Sequence, residues 1–142
     1  MRTWRRFRAL NAADRGLIVE AATWLFLVRI GISAVSFLTL RRALANLSNR
    51  FVHRVPPSHA SAQRVGWAVT AAARHLPFRT TCLIESLAAH AMLHRRGIVS
   101  ELRLGVRRPD GPASLAAHAW VEHDGAVVLG EIDNLREYGE LR

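Results

Sequence analysis

The chain has 142 residues and a mass of 15.8 kDa, which is the size of one domain with a modest core. Half of its residues are hydrophobic and 22% are charged, so a disordered chain and a collagen-like chain are both excluded. All 20 basic residues are Arg, and the net charge of +9 suggests an anionic partner. The single cysteine, Cys82, excludes an intrachain disulfide and fits a reducing compartment, so we expect a cytoplasmic protein.

The positive charge is confined to the first part of the chain. Residues 1–81 hold 13 Arg against Asp14 and Glu20, whereas residues 82–142 hold 7 Arg against 9 acidic residues. The basic start at residues 2–8 could dock on an acidic protein surface or lie on anionic lipid, although a solvated terminus explains it equally well. Nucleic acid is not favoured as a partner, because no DNA- or RNA-binding motif is present.

Residues 11–40 predict a long buried helix or a helical hairpin. Asn11 and Asp14 form a capping pattern, and apolar residues follow it at spacings of three and four: Leu17, Ala21, Trp24, Val28, Ile32 and Val35. A membrane span is less favoured, because Glu20 and Arg29 leave uncharged runs of only 8 and 11 residues. A charge at the centre of a span costs about 2.5–3.5 kcal/mol.

A break at residues 50–58, which contains Pro56 and Pro57, divides the chain into an N-terminal helical segment (1–57) and a core (58–142). Ser58 is predicted to cap a helix that Pro77 ends. Thr80 or Thr81 then opens a second helix over residues 82–96, which Gly97 closes. Three strand candidates follow at residues 101–107, 117–123 and 126–132, and a turn-rich loop is predicted over residues 107–112.

The dipeptide Asp124-Gly125 predicts a β-hairpin between the last two strands. If these residues form a two-residue turn, the numbers of cross-strand partners sum to 249, which places His118 opposite Glu131. Directly opposed Cβ atoms lie about 4.5–5.5 Å apart, within reach of a hydrogen bond between the side chains. We therefore expect Glu131 to orient His118, with its diagonal neighbour Asp133 as the alternative.

Cys82 is predicted to lie in the first turn of a helix, where the helix dipole and free N–H groups stabilise a thiolate. A Cys at a helix N-terminus, a His on a strand and an acid on the next strand form the arrangement of an activated nucleophile. The imidazole takes the thiol proton, and the acid holds the imidazole. A lone Cys is more often a small buried apolar residue, but the three residues together favour catalysis.

These motifs resemble those of a known family. The runs TCLIESL (81–87), LHRRGI (93–98), LGV (104–106) and HAWVE (118–122), followed by Asp124-Gly125, are similar to the transglutaminase-like cysteine peptidases of lasso-peptide biosynthesis. These are the leader peptidases called lasso B proteins. The resemblance covers residues 60–135, and Asp14-Arg15 with the long apolar helix is similar to the start of the stand-alone form.

The resemblance implies an α+β, papain/transglutaminase-like fold, in which a helix bearing the Cys packs on a small antiparallel sheet bearing the His and the acid. It makes Cys82 the nucleophile and His118 the general base. In the family the acid is usually an Asp about a dozen residues after the His; here that spacing falls on Gly130, with Glu131 next and Asp133 two further. The implied reaction removes the leader from a ribosomally made precursor peptide, without a cofactor, before a separate ATP-dependent cyclase closes the macrolactam.

The resemblance also implies a partner. Some lasso B proteins carry a leader-binding domain ahead of the peptidase, and we expect no such domain here because residues 1–57 are predicted to be apolar helix. A leader-recognition protein would then act in trans, with an interface on residues 17–40, and the cyclase is a second possible partner. Alternatively, these helices simply cover the peptidase core.

Three alternative readings remain open. The same three residues could serve a transglutaminase or an amidase with another acyl donor. The chain could instead be a non-catalytic module whose basic helical half docks on an acidic protein or on a membrane. His90 and His94 lie four residues apart on one helix face, a spacing that can hold a metal, but no third ligand is evident and we expect no metal.

Overall fold

The computed structural model describes residues 8–50, 52–108 and 115–141. The basic residues 2–7 and most of the predicted loop 107–112 lie outside these ranges. Four long helices come first: α1 (Ala12–Ala34), α2 (Phe37–Arg50), α3 (His59–Ala73) and α4 (Cys82–Arg95). Four strands follow, with a 3₁₀ turn (Leu135–Glu137) before the last: β1 (Glu101–Arg107), β2 (Ala116–His123), β3 (Ala126–Leu129) and β4 (Gly139–Glu140). The sheet is antiparallel with the order β3-β2-β1-β4, so the predicted α+β class is confirmed.

Local capping fixes the ends of the helices. Asn11, Ser58 and Thr81 each precede a helix, and each side chain accepts a hydrogen bond from the backbone N–H three residues on. At the end of α4, the N–H groups of Gly97 and Ile98 donate to carbonyls of the last turn, which is the Schellman arrangement. These caps lie where the sequence predicted them, although α3 ends before the predicted Pro77.

The apolar stretch at residues 17–40 forms two helices rather than one. The backbone of Val35 is extended, with φ −139° and ψ 165°, and the Ser36 hydroxyl accepts from the N–H of Thr39 where α2 begins. One face of α1 packs on α3 and α4 and buries Trp24 and Leu25. Two helices joined by a short connection are therefore present where the sequence allowed one buried helix or a helical hairpin, and both contribute to the same core as the rest of the chain.

The opposite face of α1 and the start of α2 leave large apolar side chains exposed. They are Val19, Phe26, Leu27, Ile30 and Leu38, which are between 40% and 59% exposed. Among the described helices, only α1 is long enough and apolar enough to cross a membrane, as judged by length and composition alone. An 18-residue window of this helix has a mean hydropathy of 1.7, and 22% of the window is buried. The helix thus combines a core-forming face with an apolar face that the described residues leave uncovered.

An ion-pair cluster fastens α1 to the end of α4. The Glu20 carboxylate accepts hydrogen bonds from Arg95 at 2.8 Å and from Arg96 at 2.7 and 2.9 Å. Burial of Glu20 works to raise the pKa of its carboxyl, but the hydrogen bond and charge of Arg96, together with Arg95, outweigh it and lower the pKa. One of the acidic residues in the basic half therefore has a structural role.

The β2–β3 hairpin has the predicted turn but not the predicted register. Asp124 and Gly125 have φ values of 51° and 76°, as the tight turn requires. The first two residue pairs sum to 249, but a β-bulge follows, so that Val121 pairs with Leu129. An extra residue in one strand shifts every later pair. The predicted pairing of His118 with Glu131 is therefore wrong, and β3 ends at Leu129 rather than at residue 132.

Candidate functional site

Cys82 is the first residue of α4, and its side chain is half-buried. Thr81 caps the helix, and the Thr80 hydroxyl donates to the Glu85 carboxylate at 2.6 Å, so the chain is fixed on both sides of the cysteine. Among the described residues the thiol has no hydrogen-bond partner. The structure therefore presents a free thiol at a helix N-terminus, where negative charge is favoured.

His118 lies on β2 and is held by a backbone group. Its Nε2 lies 2.6 Å from the carbonyl oxygen of Gly130. A carbonyl oxygen can only accept, so Nε2 carries the proton, and in the neutral ring Nδ1 is then the unprotonated nitrogen. This tautomer leaves Nδ1 as the basic atom.

Aromatic side chains hold the imidazole from the sides. The Trp120 ring stacks with it at a centroid distance of 6.1 Å, and the Tyr138 ring meets it at 5.7 Å with a tilt of 54°. The Trp120 Nε1–H donates to the Glu122 carboxylate at 2.8 Å, which fixes the indole. His118, Trp120 and Glu122 alternate along β2 and therefore share one face of the sheet.

Two ion pairs hold the C-terminal segment that brings Tyr138 to His118. Arg103 donates to the Glu140 carboxylate at 2.8 Å, and Arg107 donates to the Glu137 carboxylate at the same distance. The Arg107 guanidinium also lies over the Tyr138 ring, 5.6 Å from its centroid, within the range of a cation–π contact. Nothing in the sequence pattern marked Tyr138 as part of this site.

Gly130 occupies a position that other residues fit poorly. Its φ is +87°, a conformation that L-residues rarely adopt. A Cβ at this position would lie 2.8 Å from the carbonyl oxygen of Ala119 and 2.9 Å from the Trp120 Cβ. Gly130 lies inside the strand predicted over residues 126–132, although a glycine within a strand is itself a signal for a bulge or a close backbone approach.

The two candidate acids do not meet His118. Glu131 and Asp133 are both exposed, and neither makes a hydrogen bond or an ion pair with any described residue. The bulge and the end of β3 at Leu129 take the chain out of the sheet before either residue. The structure thus gives His118 a backbone partner in the position where a carboxylate was expected.

The packing of α4 relates Cys82 to His118. Among the strands, the helix packs chiefly on β2, and a connection of five residues links its C-terminal end to Glu101, which pairs with Glu122 near the far end of β2. The C-terminal end of α4 is therefore close to the Glu122 end of β2, and from the packing of the helix on this strand we infer that Cys82 lies toward the end that carries His118. No hydrogen bond joins the two side chains in this conformation, and catalytic contacts often form only when substrate is bound.

The two spaced histidines of α4 have no further metal-ligating side chains beside them in the part of the chain that the structure describes. The Nδ1 of His90 lies 2.9 Å from the Ser100 hydroxyl, and His94 is exposed. Within the described ranges, no group of three or more His, Cys, Asp or Glu side chains is placed to hold a metal. His90 therefore has a hydrogen-bonding partner in the protein itself.

Comparison with protein families gives a match over most of the chain. The model of the transglutaminase-like superfamily matches residues 23–142, which include Cys82, His118, the second half of α1 and all of α2. No curated protein and no solved structure matches the chain.

Proposed function

The chain belongs to the transglutaminase-like superfamily, and from this we propose that it is a cysteine peptidase that cleaves the leader from a ribosomally made lasso-peptide precursor. The superfamily indicates acyl chemistry of the cysteine-peptidase or acyltransferase type. The observation that carries the choice of residues is the Nε2–H of His118 bound to the Gly130 carbonyl. It leaves a basic Nδ1 on the strand against which the Cys82 helix packs.

In the proposed reaction, Nδ1 of His118 takes the proton of Cys82, and the thiolate attacks the carbonyl carbon of the scissile peptide bond. The backbone N–H of Cys82 is one donor available to the oxyanion of the tetrahedral intermediate. When the C–N bond breaks, the imidazolium gives its proton to the leaving amine, and a thioester remains. Water, deprotonated by the same imidazole, then hydrolyses the thioester and releases the thiol.

Glu131 and Asp133 remain the candidates for a carboxylate that stabilises the imidazolium. The Gly130 carbonyl already accepts the Nε2–H, so a carboxylate at either position would act through space or after a rearrangement of this loop. We therefore expect its contribution to be smaller than in a triad whose acid binds the imidazole directly.

The specific substrate rests on the motifs around Cys82 and His118, which resemble those of the lasso leader peptidases. We propose that a leader-recognition protein acts in trans in the cytoplasm and docks on the exposed apolar face of α1 and α2, which includes Phe26 and Ile30. Contiguous exposed apolar surface of this kind is typical of a protein or membrane contact. The cyclase is a second candidate partner.

A second candidate function is acyl transfer to an amine other than water, as in a transglutaminase. It uses the same thioester, and the family match supports it equally. Addition of a small primary amine distinguishes the two functions. A peptidase releases the free acid, whereas an acyltransferase releases mostly the amide.

The direct test is to incubate the protein with its precursor and leader-recognition partner and to follow cleavage by mass spectrometry. We expect Cys82→Ala to abolish cleavage, and Cys82→Ser to lower it by at least about 10³-fold because an alcohol is a far weaker nucleophile than a thiol at neutral pH. The control is Val99→Ser, an exposed position away from the proposed site. Cleavage by Cys82→Ala would refute the peptidase assignment, and with it the acyl-transfer alternative.

A further inference from the structure

A cavity lies between α2 and α4, on the part of α4 that follows Cys82. Its volume is about 310 Å³, at the small end of the range of about 300–1,000 Å³ for ligand sites. Both helices face it with residues at helical spacings of three and four, and Leu44, Leu87 and Ala91 form an apolar floor. An apolar floor of this kind suits the aliphatic part of a side chain.

The rim of the cavity is cationic. Arg41, Arg42, His90 and His94 line it, and no carboxylate among the described residues does. Neither arginine forms an ion pair with the described part of the chain. Burial lowers the pKa of His90, and the positive charges of His94 and Arg41 lower it further. The two arginines therefore give the cavity a positive potential that no carboxylate among its described lining residues offsets.

We propose that this cavity binds an acidic, carboxylate-bearing segment of the peptide substrate. The carboxylate would pair with the arginines of the rim, and its aliphatic stem would cover the apolar floor. The Nδ1 of His90 faces the Ser100 hydroxyl at 2.9 Å, which leaves Nε2 as its nitrogen for a ligand. The choice of a peptide rather than a small anion rests on the proposed peptidase function.

The position of the cavity along α4 sets the distance from the cleavage site. His90 and His94 follow Cys82 by 8 and 12 residues, which correspond to about 12–18 Å along a helix. An extended peptide advances about 3.3 Å per residue. The acidic residue should therefore lie at least about four residues from the scissile bond.

The test measures binding by titration calorimetry on the Cys82→Ala protein, so that no cleavage occurs. The probes are an acetylated Leu-Glu-Glu-Leu amide, the matched Leu-Gln-Gln-Leu amide, and inorganic phosphate. We expect the Glu peptide to bind at least about tenfold more tightly than the Gln peptide, and Arg41→Glu with Arg42→Glu to remove this preference. Arg74→Glu, a charge change at the exposed residue that follows α3, should leave the preference intact.

Three results would overturn the proposal: equal binding of the two peptides, an equal loss in Arg74→Glu, or binding of phosphate without binding of the Glu peptide. The last result would assign the cavity to a small anion. Failure of the cavity proposal can be distinguished from failure of the proposed peptidase function. Suppose that the wild type cleaves its precursor and that the double variant, Arg41→Glu with Arg42→Glu, has the same KM. The cavity assignment then fails while the peptidase assignment stands. If the Glu peptide binds but the precursor is not cleaved, the peptidase assignment fails alone.

Discussion

At Gly130 the backbone rather than a side chain meets His118. A neutral carbonyl fixes the orientation and tautomer of an imidazole, but it stabilises the imidazolium less than a carboxylate would. The sequence located His118 by its motif. The position about a dozen residues after it, where the family usually has its Asp, is Gly130 here. The sequence could not show that the carbonyl of this residue faces the ring, because that depends on the bulge and on a φ of +87°.

We expect Gly130→Ala to lower kcat/KM for precursor cleavage by about 10–100-fold, in the range seen when groups that orient a functional histidine are removed. The added Cβ would crowd Ala119 and Trp120 and shift the carbonyl away from Nε2. Gly16→Ala is the matched control, since nothing lies within 4 Å of a Cβ there. Unchanged kinetics in Gly130→Ala would show that the carbonyl does not hold His118.

The two acids provide a separate prediction. Glu131→Gln and Asp133→Asn should each lower kcat by less than about tenfold, because neither carboxylate bonds to the imidazole in the structure. The measurement is single-turnover cleavage, which reports chemistry apart from product release. A loss of about 10³-fold or more in either variant would identify that side chain as the group that holds His118 during catalysis.

At the scale of elements, caps and turns were predictable and register was not. The signals for helix starts and for the Asp124-Gly125 turn are local, so the sequence contains them in full. The bulge between Glu122 and Val121 is decided by how β3 packs against β2 and α3, and no short motif encodes that packing. The sequence pattern allowed residues 17–40 to form either one helix or two. The structure shows two, and they are separated at Val35, whose backbone is extended.

The cluster around Glu20 gives a prediction for stability. Glu20→Gln should lower the free energy of unfolding at neutral pH by about 1–3 kcal/mol, because it removes charged hydrogen bonds to two arginines. The pKa of Glu20 is lowered in the folded state. Its contribution is therefore present above the unfolded value of about 4.5 and is lost as the pH falls through the folded value.

Urea unfolding at a series of pH values measures this difference. The gap between the wild type and Glu20→Gln should close in acid. Glu101→Gln is the control, because Glu101 is 63% exposed and surface pairs contribute at most about 1 kcal/mol. A gap that stays constant from neutral to strongly acid pH would contradict the assigned role of the Glu20 charge.

At the scale of the whole molecule, the excess positive charge of +9 lies in a different half of the chain from the residues of the proposed reaction. The half that contains Cys82 and His118 is slightly acidic, and the excess of Arg lies in the half that forms α1, α2 and α3. Positive charge beside an exposed apolar face is typical of contact with a partner or an anionic surface. The large-scale charge pattern was readable from the sequence, whereas the exposed face of α1 needed the packing of the helices.

We expect Phe26→Ser with Ile30→Ser to reduce the stimulation of cleavage by the leader-recognition partner by about tenfold. Both side chains are at least 50% exposed, so the midpoint of thermal unfolding should stay close to that of the wild type. The control is again Val99→Ser, which is exposed at 79% on a different part of the molecule. If partner stimulation is unchanged but binding to anionic vesicles is lost, the face contacts a membrane instead.

The measurement that tests the central claim most directly is the rate at which iodoacetamide alkylates Cys82. The chain has one cysteine, so the reaction reports on this thiol alone and requires no precursor. If His118 takes the thiol proton, the wild type should react at least about tenfold faster than His118→Ala near neutral pH. Equal rates in the two proteins across the pH range would show that the imidazole does not act on the thiol and would contradict the account.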